Sequence, residues 1–409
     1  MVKRYLRKPS LKTLKLKFSD ILDITDRATN CVIGKQIRPA LRQMLVTDFA
    51  KEIRYLCFKN HSVYVYTKNN LLIKYDEKTG QTETIAGALG ESLIVEEITI
   101  NGKNETLMIS GGGGYVGTKS FNIPYGKYSA IHGGRCFTAD NNTVSFCAPF
   151  DFSEYSYSEL SGAFNTQESD GEITGLCSMG EFLYVFCQRA VYKVSLNDNS
   201  IFVLTKLPVT VSQIEHGSVK SVGGKILFLS GKKVFAFDGN SVCVVDERME
   251  QLNLSRINGA SVCGEKYAIN VTVDGNYAQY VLNAVDNSVQ IVSAVSSKCT
   301  DGGYMVDDTG KLYKTLLSEG DILGGAFWQS KPLYFSSPYA KNLLEISFFL
   351  KGQASLKISG DTGISEFLLV DGVNIIRLNS KSRFFTLEFT SDDCFELKEI
   401  AVKYRIIGE

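Results

Sequence analysis

Histidine occurs only at positions 61, 132 and 216 of this 409-residue chain, tryptophan once and proline seven times. Three scattered histidines, beside ten cysteines without a close Cys-x-x-Cys pair, exclude the usual zinc-ligand spacings. The cysteines sit mostly inside apolar runs such as Leu183 to Cys187, where they read as small buried hydrophobes of a protein made in a reducing cytoplasm. No metal and no cofactor is expected. Charge of one sign is also missing: 44 Lys plus Arg balance 44 Asp plus Glu, so no bulk field draws the molecule to nucleic acid or to an anionic membrane. No apolar run approaches the roughly 20 residues that span a bilayer, and the charged N-terminus lacks a signal-peptide core. The expectation is a soluble protein with no membrane span and no visible export signal. The chain also lacks G-x-S-x-G, H-E-x-x-H, a P-loop, an EF-hand loop and the WD and kelch signatures, which mark catalytic, phosphate, calcium and common repeat scaffolds.

What is present is a repeat of turn, apolar run, turn, apolar run. Gly133-Gly134-Arg135 leads into Cys136-Phe137-Thr138-Ala139, Gly180-Glu181 into Phe182 to Phe186, Gly223-Gly224-Lys225 into Ile226 to Leu229, and Gly264-Glu265-Lys266 into Tyr267-Ala268-Ile269. A period of roughly 30 to 45 residues built from strands predicts a radial array of small sheets. Between Ile53 and Ile85 four strands are legible, and Asn101-Gly102 marks a hairpin in the next unit, because both positions of such a turn need positive φ. Many inner runs are apolar on successive residues, which predicts strands covered on both faces. From about residue 325 the pattern changes to strict alternation: Phe385, Leu387 and Phe389, then Ile400, Val402, Tyr404 and Ile406, each separated by a more polar residue. Such strands are half-buried and antiparallel. The expected fold is therefore all-β: a basic arm and lead-in segment over 1–45, a β-propeller of six or seven blades over 46–322, and a C-terminal antiparallel β-sandwich over 323–409.

Candidate contacts lie where the repeat breaks. Residues 1 to 18 hold Lys3, Arg4, Arg7, Lys8, Lys12, Lys15 and Lys17 without an acid, an arm suited to DNA phosphates or an acidic partner, or simply a solvated terminus. The polar stretch 155 to 171 reads as a long surface loop. Beside it Phe152, Tyr155 and Tyr157 form either an aromatic contact surface for a glycan or a packed staple. Two acid pairs, Asp170 with Glu172 and Asp246 with Glu247, have the composition a glycosidase needs, but each lies beside a turn where solvated acids are common. Gly111 to Gly114 lack the Lys-Ser/Thr of a phosphate loop and read as close backbone packing or mobility. The chain is not expected to be an enzyme.

Several phrases together resemble one family. Gly133 to Asp151 is similar to the "Gly-Arg-Leu-Phe … Tyr-Phe-Ser … Pro … Asp" blade of structural proteins from tailed bacteriophages. Ile173 to Val194 and Gly217 to Gly239 resemble the blades that follow it there, and Trp328-Gln329-Ser330-Lys331-Pro332 resembles the element that introduces a C-terminal β domain. The likeness covers roughly residues 125 to 409 and points to the tail hub or nozzle proteins of short-tailed phages, also called packaged-DNA stabilisation proteins. The resemblance implies a structural virion protein assembled in the host cytoplasm. It would form a homo-oligomer, a hexameric ring in that family, that meets the portal, adaptor and other tail proteins. Double-stranded DNA would pass through the ring without sequence readout. The alternative is a carbohydrate-binding or carbohydrate-cleaving propeller acting in host-receptor recognition.

Overall fold

A computed structural model describes residues 13–18, 21, 25–87, 93–100, 102–110, 112–117, 119–156, 160–196, 201–293, 299–316 and 320–407. Among them the chain is nearly all β, with short 3-10 turns and no α-helix. It divides into two compact units, unit 1 from residues 1–42, 286–293 and 318–409 and unit 2 from residues 43–285 and 294–317. The boundaries between the units fall at 42/43, 285/286, 293/294 and 317/318. The lead-in segment does not stand apart, because its strands belong to the same unit as the C-terminal ones.

Unit 2 contains small antiparallel sheets in chain order. Four strands each make up β6 to β9 (Ile53–Lys59, Ser62–Thr67, Leu71–Asp76, Thr82–Gly87), β10 to β13 (Ile94–Ile100, Lys103–Ser110, Gly113–Val116, Lys119–Asn122) and β14 to β17 (Tyr128–His132, Arg135–Asp140, Thr143–Phe146, Gly162–Asn165). The same holds for β18 to β21 (Ile173–Met179, Phe182–Cys187, Val191–Leu196, Phe202–Lys206) and β22 to β25 (Lys220–Val222, Lys225–Ser230, Lys233–Phe237, Val242–Asp246). Next come β26 to β28 (Leu254–Cys263, Lys266–Val273, Asn276–Asn283). Last, β30 to β32 (Cys299–Asp301, Tyr304–Val306, Lys311–Lys314) take their fourth strand from the start of the unit, β5 (Met44–Asp48). Tight turns at positive φ join the first two strands of these sheets, as at Gly133-Gly134 (φ 54 and 71) and Gly223-Gly224 (φ 56 and 77); both positions of a two-residue hairpin loop demand that region.

The first strands lie side by side: β6 beside β10, then β14, β18, β22, β26 and β30, and β30 lies beside β6 again. Apolar side chains fill the spaces between neighbouring sheets. One cluster joins Phe137 and Val144 to Val185 and Val194, the next joins Phe186 and Tyr184 to Phe228 and Phe237, and another joins Ile53 and Val65 to Tyr304 and Leu312. Second strands are therefore covered on both faces, β7 along its whole length. This is why their sequences are apolar on successive residues.

Unit 1 consists of two sheets. One holds β29 (Val289–Ser293), β3 (Cys31–Ile33), β4 (Ile37–Pro39), β39 (Phe395–Ile407), β34 (Ala340–Gly352) and β37 (Gly372–Ser382), with β1 (Thr13–Lys17) also on β39. The other runs β2 (Thr25–Thr29), β33 (Ala326–Ser330), β38 (Phe385–Ser391), β35 (Ala354–Gly360) and β36 (Gly363–Leu369). Ile346, Phe348, Ile400 and Val402 of the first sheet share one apolar cluster with Trp328, Leu356, Leu387 and Phe389 of the second. The alternating residues read from the sequence are its inward positions.

Candidate functional site

The seven first strands of unit 2 surround a cavity of about 420 Å³. Each contributes to its wall, through Lys59, Glu96, Ser129, Thr174, Lys220, Val262 and Asp301. The charges there pair with one another. Lys59 Nζ lies 3.0 Å from Glu96 Oε2, and the Ser129 hydroxyl donates to the other Glu96 oxygen. Lys220 Nζ lies 3.8 Å from Asp301, whose second oxygen accepts the Phe58 backbone N–H at 2.9 Å. A third lysine of the wall, Lys127, meets Asp140 at 3.2 Å. Burial acts to lower the Lys59 pKa, but Glu96 outweighs it and the net shift is upward, so this ammonium stays charged. Burial also pushes the Cys57 thiol up, which makes it a poor nucleophile.

Near the same wall the Tyr128 hydroxyl lies 2.8 Å from His216 Nδ1, and the two rings stack at 6.3 Å. Gln188 Nε2 and Glu172 Oε2 approach His216 Nε2 at 3.4 and 3.9 Å. The order carboxylate, imidazole, hydroxyl is that of a nucleophile relay. Yet the Tyr128 pKa is pushed up to about 12, first by burial and then by the Glu172 charge. A phenol that resists ionisation is held by the relay and not activated by it.

A second cavity of about 250 Å³ lies between the β14–β17 and β18–β21 sheets and includes His132, Arg135, Phe182 and Phe202. Arg135 is already committed, donating from Nη1 to the Cys147 (2.7 Å) and Leu160 carbonyls, with its guanidinium 5.6 and 5.5 Å from the Phe146 and Phe202 ring centres. The arginine of the Gly-Gly-Arg phrase is thus a packing element.

The residues singled out in the sequence separate as follows. Lys3, Arg4, Arg7, Lys8, Lys12 and Tyr157 lie outside the described residues. Lys15 and Lys17 sit on β1, paired in register with Lys403 and Ala401, and Lys17 meets Glu399 at 3.5 Å. The contact surface expected at Phe152 and Tyr155 is not offered: they are 4 % and 9 % exposed and pack with Ile98, Leu107, Cys136 and Cys147. The Tyr155 hydroxyl donates to the Cys136 carbonyl at 3.3 Å. This is the staple reading; Phe150, at φ 60, stays 72 % exposed beside it. The long surface loop of 155 to 171 is likewise corrected, for it contains β17 and a 3-10 turn at Glu168–Asp170. The acid pairs are divided by burial. Asp170 and Asp246 are 5 % and 4 % exposed and bound to Tyr192 and Lys206, and to Tyr280 and Arg248, respectively. At Gly114 a Cβ would stand 2.3 Å from Ile123 Cδ1, so its place in the glycine run reflects close packing. Sequence reasoning missed the cavity charges, which are single residues dispersed from 59 to 301 and have no local signal.

Among the described residues no group of His, Cys, Asp or Glu could hold a metal ion, and no helix is long and apolar enough to cross a membrane. No protein-family model matches the chain, and no curated protein matches it.

Proposed function

We propose that residues 43–285 and 294–317 form a seven-bladed β-propeller, that unit 1 is a β-sandwich, and that the protein is a structural component of a tailed-phage virion, a ring-forming tail hub or nozzle subunit. The observation that carries this reading is the circuit of first strands that returns from β30 to β6. It is tied shut by β5, which adds the strand of residues 44–48 to the last sheet. A body closed in this way has short protected edges and broad rigid faces, which is what a ring subunit needs.

Three further points support it. The phrases Gly133 to Asp151, Ile173 to Val194 and Gly217 to Gly239 fall on three consecutive sheets, β14–β17, β18–β21 and β22–β25. The charges of the central cavity are neutralised among themselves, as suits a scaffold more than a substrate site. A net charge of zero lets DNA slide past without being gripped. The oligomeric ring, the portal and adaptor partners and the place in the virion belong to this proposal.

Mass spectrometry and cryo-electron microscopy of purified phage particles test it. The expected result is several copies of the chain per particle, arranged as a ring on the DNA exit path. Particles that lack the chain, or hold a single copy, overturn the reading.

A further inference from the structure

The two consecutive strands β36 and β37 end different sheets: among the described residues β36 pairs with β35 alone and β37 with β34 alone. Each leaves one row of backbone N–H and C=O groups without a ladder partner, and an open edge is a template for another strand. Edges are normally blunted by charge or proline. Here Ile364, Leu368, Val370, Val373 and Ile375 are 64, 92, 65, 74 and 56 % exposed. At about 30 Å² per aliphatic carbon these five side chains present roughly 400 Å² of apolar surface. A contiguous apolar patch of this size on a surface often marks an interaction site, and side chains on neighbouring strands of one face touch each other when an edge is extended.

The corner between the strands is rigid. Asn374 Nδ2 donates to the Val370 and Gly372 carbonyls at 2.9 and 3.1 Å, and Asp371 Oδ1 accepts the Gly352 N–H at 2.9 Å. A preformed edge associates without an ordering cost.

The occupant follows from the pattern on the edges. On β36 the side facing away from β35's buried residues carries Ile364, Glu366 and Leu368; on β37 the corresponding outer side carries Val373, Ile375 and Arg377. The two strands would be antiparallel partners, yet they are held in separate sheets and do not pair within the chain. A two-fold axis parallel to the strands sets β36 of one copy beside β37 of the other, antiparallel and in the same layer, and does so twice. One register then places Val370 opposite Val373, Leu368 opposite Ile375 and Glu366 opposite Arg377 of the other copy, apolar against apolar and acid against base. We propose that this edge is the docking surface for a second copy of the chain, which joins both sheets of unit 1 across a two-fold axis. The contact is two-fold, whereas contacts around a ring are head-to-tail, so it stands independently of the proposed place in the virion.

Sedimentation of the purified full-length chain tests it at concentrations from about 1 to 100 μM, a range that spans ordinary dimer affinities. The expected mass is twice the chain mass or an even multiple of it. Glu366→Arg and Arg377→Glu each set like charges opposite one another and are expected to weaken the dimer roughly tenfold or more. The double variant restores opposite charges across the contact and is expected to associate more tightly than either single variant, short of wild type because Arg377→Glu also removes the ion pair of Arg377 with Glu345 of its own chain, 3.5 Å away. Leu368→Lys, at a side chain 92 % exposed, is expected to abolish pairing without touching the core, and unchanged Trp328 fluorescence verifies folding. A wild-type monomer at the highest concentration overturns the proposal. An assembly whose mass ignores both charge reversals overturns it as well.

Discussion

Asp170 is a buried carboxylate with a purpose in the fold: one oxygen accepts the Tyr192 hydroxyl and the other accepts Lys206 Nζ at 2.7 Å, which ties the 3-10 turn to β20 and β21. Burial alone would raise its pKa, but these two donors outweigh burial and the net shift is downward. A carboxyl depressed in the folded state stabilises the protein above the ordinary carboxyl pKa of about 3.9, and that stability is lost as pH falls through the folded value. Asp170→Asn should therefore lower the urea midpoint at pH 7 by an amount worth about 1–3 kcal/mol and flatten the decline of stability below about pH 4. Urea titrations at the two pH values check both effects. In unit 1 the corresponding residue is Trp328, fully buried, whose Nε1 donates to Thr25 Oγ1 at 2.8 Å. Thr25→Val leaves that indole N–H without its acceptor and is expected to cost about 1–3 kcal/mol. As the chain's one tryptophan, Trp328 reports the loss by its own fluorescence during unfolding.

Among elements, the closing sheet is the sensitive one. The Phe49 N–H bonds to the Gly310 carbonyl at 3.1 Å, and a Cβ on Gly310, which has φ +92, would stand 2.1 Å from the Lys51 backbone oxygen. At the turn between β26 and β27, Gly264 also has positive φ (+58), but nothing lies within 4 Å of its would-be Cβ. Gly264→Ala should cost roughly 1 kcal/mol for the left-handed backbone alone, while Gly310→Ala adds a backbone collision and should cost roughly 3 kcal/mol or more. Calorimetric melting of the two variants separates strain from collision, and equal losses would show that the backbone at Lys51 yields to a Cβ on Gly310 without cost. The same elements show what could be read beforehand. Strands such as Ile53–Lys59 and Ser62–Thr67 were legible because their hairpin turns and apolar runs are local. The alternation of Phe385, Leu387 and Phe389 was legible because one side of that strand faces a core. β5 was not, since its partner Lys311–Lys314 lies more than two hundred residues away and its own Met44 and Leu45 are 50 % and 54 % exposed. β17 hid in polar text because only Phe164 anchors it, packed against the cluster of Phe137 and Val185. The exposed edge of β36 and β37 was equally hidden, for an apolar residue in a strand carries no mark of whether its side is covered.

At the scale of the whole chain, the larger surprise is that unit 1 is assembled from the two ends of the sequence and a short internal piece. Sequence periodicity placed a separable module at 323–409, because alternation reports burial but not which strands share the core. Ala28, Cys31, Ile33 and Ile37 are each at most 5 % exposed and pack with Trp328, Leu343, Phe389 and Leu397. In register, Ala28 of β2 lies opposite Trp328 of β33, and Ile37 of β4 opposite Leu397 of β39. Closing these contacts across some three hundred residues is slow, so the N-terminal strands wait for the C-terminus with apolar faces uncovered. A chain truncated after Gly325 would keep that exposure permanently. It is expected to bind a hydrophobic dye such as ANS and to elute as aggregate in size-exclusion chromatography. Removing residues 1–42 together with the C-terminal segment takes away both halves of the shared core and should relieve the dye binding that the single truncation creates. If the single truncation instead stays monodisperse and dye-silent, the N-terminal strands do not depend on the C-terminal ones, and the two ends of the chain are not one folding unit.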